Sequence, residues 1–162
     1  MNDIQVAIMM GSKTDWETLQ ETVKLLDEFG VANEAKVLSA HRTPKEVMAY
    51  VEKFPSKGGK VFICGAGGSA ALAGVVAAHT TCPVIGVPID STSLNGLDAL
   101  LSTVQMPPGV PVGSVAVGKM GAKNAALLAI RILALNDKKL EKKLNEYREK
   151  NRQEILKIEL KT

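Results

Sequence analysis

Short apolar runs separated by helix-patterned segments constrain this chain more than any other feature. Residues 4–10 (IQVAIMM), 60–65 (KVFICG) and 82–89 (CPVIGVPI) are each nearly unbroken in hydrophobicity. A strand that faces water on one side alternates apolar and polar residues; a strand covered on both faces does not. Residues 32–38 (ANEAKVL) read as a weaker strand and 114–118 (SVAVG) as a short fifth one. Between the runs, Trp16, Leu19, Val23 and Leu26 recur at three- and four-residue spacing, with Gly30 placed to end that helix. Residues 42–54 open a second helix, with Thr43 as candidate N-cap and Pro44 at the first position. Residues 66–79 form a small-residue helix that must pack closely. Residues 91–113 are irregular around one short helix, and residues 122–135 are a strong helix.

Alternating strands and helices imply a parallel sheet with helices on both faces. Five strands favour the flavodoxin-like doubly wound order, a three-layer αβα arrangement. At 162 residues the chain is one domain. Residues 1–136 are its α/β body and residues 137–162 a C-terminal helix on that same domain or on a neighbouring subunit. Leu140, Leu144, Tyr147, Ile155 and Ile158 recur on one rough face of it. The 24 residues 137–160 would reach about 36 Å as a helix, against a radius of gyration of about 15 Å for a compact body of this size. Overhang and packing on another subunit are the expectation.

Several function classes fall away. No apolar run approaches the ~20 residues of a membrane span. The first 15 residues lack the basic, apolar and cleavage regions of a signal peptide. The formal charge of +3 resides in residues 137–162, with nine Lys/Arg against six Asp/Glu, while residues 1–136 balance at eleven each. That is a mixed-charge helix, not the basic stripe with stacking aromatics of a nucleic-acid binder. Cys64 and Cys82 read as buried thiols in a reducing cytoplasm. Met9, Met10 and Met106 read as packing, His79 as a helix end, and no residues have metal-ligand spacing.

Ligands in such folds bind beyond the carboxyl ends of the strands. Three segments fall there. GSKTD (11–15) offers the hydroxyls of Ser12 and Thr14, the carboxylate of Asp15 and a helix start suited to an anion. An N-cap cluster alone would read the same way. SAHRTP (39–44) adds Ser39, a guanidinium at Arg42 that can fork onto phosphate, and His41, which can exchange a proton near neutrality. A surface histidine near a helix start is the plain alternative. GAGG (65–68) lets backbone amides approach a small carboxylate or a flat ring, or else serves close helix–sheet packing. None of the three is a P-loop or a dinucleotide fingerprint.

Taken in order, MGSKTDW, SAHRTP, GAGG, PVIGVP, LLSTVQMPPGVPVGSVAVG and NAALLA resemble the class I N5-carboxyaminoimidazole ribonucleotide mutases of purine biosynthesis, over nearly the whole chain. The resemblance implies a cytoplasmic homo-octamer with sites near subunit boundaries. It implies a small-molecule ribonucleotide substrate and no cofactor, metal, nucleic acid or membrane partner. Ser12, Thr14, Asp15, Ser39 and Arg42 match ribonucleotide-binding positions, and His41 matches the proton-transfer residue. Gly67, Gly68 and Leu72 match the loop around the base and the migrating carboxylate. Two positions depart from that pattern: Ala71 and Ala73 stand where the family usually has histidine and proline. Rival readings are a carboxylase that uses CO2 directly, a flavodoxin-like module that only holds a phosphorylated ligand, and an interaction protein acting through its basic tail.

Overall fold

The computed structural model describes residues 3–160. The last two residues of the expected 137–162 segment, and the first two of the segment read for a leader, lie outside it. Five strands form one parallel sheet: β1 (Val6–Met10), β2 (Asn33–Val37), β3 (Val61–Gly67), β4 (Val84–Ile89) and β5 (Gly113–Ser114). Their order is β2-β1-β3-β4-β5, the doubly wound flavodoxin-like order expected from the sequence. Every residue of β1 and β4 is buried, as their unbroken apolar character requires. β2 lies on the sheet edge with Val37 exposed, which is why its hydrophobic pattern is weak.

The helices are α1 (Trp16–Phe29), α2 (Pro44–Lys53), α3 (Leu72–Ala78), α4 (Leu97–Val104), α5 (Gly118–Ala134) and α6 (Lys138–Leu156). One face of the sheet packs α1, α5 and the start of α6 over Ile8, Ile63 and Ile85. The other packs α2 and α3 over Met9, Phe62 and Cys64. Ala122, Ala125, Ala126 and Ala129 give α5 a fully buried small face, and the Thr22 hydroxyl donates to the Ala122 carbonyl at 2.8 Å across that contact. A methyl group at Gly65 would stand 2.6 Å from Leu19, so its absence lets α1 sit close to the sheet.

Five local expectations change. The helix expected over 66–79 covers only Leu72–Ala78, because β3 runs on to Gly67. β5 covers two residues, not five, because the chain leaves the sheet to enter α5 at Gly118, four residues earlier than expected. Trp16 is half exposed instead of lying in the α1 core face; Leu25 is buried there beside Leu19 and Leu26. Thr43 precedes α2 but does not cap it: its hydroxyl donates to the Ser39 carbonyl and accepts from the Ser39 amide. Cys82 is half-buried just before β4, while Cys64 is fully buried, and burial pushes its thiol up.

α6 divides along its length. Asp137 caps it by accepting from the Lys139 and Leu140 amides. Leu140 and Leu144 are buried, Tyr147 stacks tilted on Phe29 at 5.6 Å, and Lys143 donates to the Phe29 carbonyl where α1 ends. Beyond that turn, Ile155, Leu156, Ile158 and Leu160 are exposed. No described helix is long and apolar enough to cross a membrane.

Candidate active site

The three strand-end segments converge on one cleft of about 350 Å³ at the carboxyl ends of β1, β2 and β3. Each wall follows from local chemistry. Ser12 begins a single 3₁₀ turn (Lys13–Asp15) with a reciprocal capping box: its hydroxyl accepts from the turn, and its amide donates to Asp15 Oδ2 at 2.9 Å. That bond turns Asp15 inward, where it is only 5% exposed. Burial lifts its carboxyl above the usual aspartate range; the hydrogen bonds from Ser12 and Gly11 and the Arg42 charge oppose that rise. Ser12 and Thr14 share a short hydroxyl contact at the cleft mouth.

The second wall is held by Ser39, 8% exposed. Its hydroxyl accepts from the Arg42 amide at 3.2 Å and from Arg42 Nε at 3.3 Å. The Thr43 amide and hydroxyl both donate to its carbonyl, so residues 39–43 close into a tight turn. Arg42 Nη2 donates to the Gly11 carbonyl and bridges the two loops. Arg42 forms no ion pair with any described residue. Its charge is thus available to an anion in the cleft. His41 lines the same cleft from the tip of the turn, exposed.

The third wall is the end of β3 and the start of α3. Gly67 and Leu72 line the cleft, as does Ser69. Gly68 does not; with φ at +62° it turns the chain between its neighbours. The Ser69 amide has no backbone acceptor among the described residues. The two departures from the family pattern separate here. Ala71 lines the cleft, whereas Ala73, in the first turn of α3, is buried against the sheet close to Gly86 and does not line it. Among the described residues, no three His, Cys, Asp or Glu group together as a metal could require.

Of the nine expected site residues, eight line one cleft. Sequence reading missed Ser91, which lines it from the carboxyl end of β4. The strand-end rule applied to the fourth strand would have found it. The arrangement is a cationic end at Arg42 beside the Ser39 hydroxyl, a carboxylate at Asp15 suited to hydroxyls, a floor at Gly67, and an imidazole at the rim.

The chain matches the family model described as AIR carboxylase over residues 5–154. It is 54% identical over 156 residues to the N5-carboxyaminoimidazole ribonucleotide mutase of Saccharolobus solfataricus, covering 96% of this chain and 98% of that one. It is 54% identical to the mutase of that name in Bacillus subtilis, covering 93% of each, and 48% identical to that of Escherichia coli, covering 96% and 92%. Among solved structures it superimposes on Treponema denticola PurE with a TM-score of 0.86 at 33% identity, covering 94% of each chain.

Proposed function

This chain belongs to the AIR carboxylase family, and on that premise we propose that it is an isomerase of purine biosynthesis. The reaction moves the carboxylate of N5-carboxyaminoimidazole ribonucleotide from the exocyclic nitrogen to ring carbon C4. One observation carries the reading: His41, Arg42, Asp15 and Gly67 of the glycine-rich turn all line the same cleft.

The residues divide the work by their chemistry. Arg42, Ser39 and the hydroxyls of Ser12 and Thr14 hold the 5′-phosphate. Asp15 accepts from the ribose hydroxyls. The base then lies over Gly67 and Leu72, with Gly68 shaping the turn beneath it. A carbamate loses CO2 readily once its nitrogen is protonated, and an aminoimidazole is electron-rich at C4. His41 gives a proton to the nitrogen as its bond to the carboxylate breaks. The CO2 stays confined above the ring, C4 attacks it, and neutral His41 removes the C4 proton to restore aromaticity. Protons balance, so one imidazole serves both steps. Confinement supplies effective molarity, and a positioned proton shuttle contributes ~10²–10⁴-fold.

Assembly is part of the same proposal: a cytoplasmic homo-octamer in which neighbouring copies cover what one copy leaves open. Leu97, Leu101 and Val104 run along one side of α4 and Leu94 lies in the loop before it, each about half exposed, as Leu97 is at 56%. The exposed outer end of α6 favours packing on a neighbour as well.

The deciding experiment supplies purified protein with N5-carboxyaminoimidazole ribonucleotide, or with aminoimidazole ribonucleotide plus bicarbonate. Product from the first at far higher kcat/KM supports the mutase. Product only from the second assigns a direct carboxylase instead.

A further inference from the structure

We infer that Ser91 is a substrate-contacting residue whose hydroxyl holds the migrating carboxylate on both sides of the isomerisation; this rests on the function proposed above. Ser91 stands one residue beyond the Asp90 that follows β4, and it is the sole contribution of the fourth strand end to the cleft lining among the described residues. Its hydroxyl has no hydrogen-bond partner in any described residue, although its neighbour Thr92 is fully engaged with Asp98 and the Leu94 amide. A β-carbon added at Gly67 would overlap the Ser91 oxygen. Gly67 therefore leaves the space in which that oxygen sits, directly over the glycine-rich floor.

The chemistry asks for a donor of this kind. The carboxylate is anionic before and after the transfer but changes its attachment atom. Arg42 is bonded to the Gly11 and Ser39 oxygens at the opposite wall, fixed where the phosphate lies. A hydroxyl rotates about its C–O bond, so one oxygen can donate to a carboxylate at either attachment point. Ser69, whose amide has no backbone acceptor among the described residues, lines the same side of the cleft, which fits a carboxylate there. Ser91 keeps its proton throughout.

The test compares native protein, Ser91→Ala and Ser91→Thr by isomerisation kinetics and by inhibition with ribose 5-phosphate, which fills the sugar-phosphate end alone. Ser91→Ala should lower kcat/KM roughly 10- to 100-fold, the loss of a hydrogen bond to a charged group. Ribose 5-phosphate inhibition should stay unchanged, and Ser91→Thr should recover most of the rate. Gly67→Ala should cost far less in the Ser91→Ala background than in the native one, because the displaced oxygen is already gone. A Ser91→Ala rate within twofold of native, or an equal loss of ribose 5-phosphate affinity, overturns the assignment. An inactive native protein overturns the functional reading instead.

Discussion

Arg42 Nη2 donates to the carbonyl oxygen of Gly11, so the loop that follows β2 is pinned to the loop that follows β1. The pairing spans 31 positions in sequence and joins the two walls that flank the cleft. It also leaves the guanidinium without a carboxylate partner among the described residues, which fits a group reserved for an anionic ligand.

Replacing Arg42 with alanine should therefore act mainly on binding. Loss of a charge-assisted bond raises KM about 10- to 100-fold, with a smaller change in kcat. Lysine should recover only part of the affinity, since a point charge cannot both tie Gly11 and fork onto phosphate. Steady-state kinetics on the three proteins separates the parameters.

Asp15 carries a stability cost that its function explains. Burial raises its carboxyl above the ordinary value of 3.8. The folded protein then holds that proton more tightly than the unfolded chain, and this group's contribution to stability falls as pH rises through the window above 3.8. Asp15→Asn keeps an oxygen for the Ser12 amide and removes the buried charge. Thermal melts should show a higher Tm than native at pH 7 and no difference below the ordinary aspartate value, while kcat/KM drops about tenfold with the lost acceptor.

His41 is exposed and makes no part of the core, so His41→Asn should melt like the native protein. Its turnover should fall by ~10²–10⁴-fold, with ribose 5-phosphate inhibition retained. Near-native turnover would remove the imidazole from the chemistry.

The α4 stripe predicts the assembly's weak point. Changing Leu97 and Leu101 together to aspartate places two charges on a face proposed to be covered by another copy. Light scattering after gel filtration should find the native protein at eight times the 17.2 kDa chain mass and the double variant at a lower multiple. A native monomer would contradict the octamer.

Much of this fold was legible because its strands are buried on both faces. The unbroken runs in β1, β3 and β4 name the sheet centre, and the weak run in β2 names its edge. β5 was misjudged because apolar residues in an extended segment look alike whether they pair with a strand or only lead into a helix; Val115 packs on the core after the ladder ends. Trp16 was misplaced because periodicity reports a face but not where that face runs out. Thr43 shows a different limit: its hydroxyl could bond forward into α2 or back to Ser39, and the tight turn decided. The three loops could be read as one site because each follows a strand of one parallel sheet. The strand-end rule reaches Ser91 as well, but not its contact with Gly67, which depends on packing between β3 and β4 that spacing does not encode.

The account stands on transfer within the cleft, and isotope retention tests that directly. Substrate bearing a heavy-carbon carboxylate is converted in buffer containing unlabelled bicarbonate, and the product's carboxylate is read by mass spectrometry. Product that keeps most of its label, formed at a rate independent of bicarbonate, is the expected result. Product carrying the unlabelled carbon, at a rate that rises with bicarbonate, would contradict it.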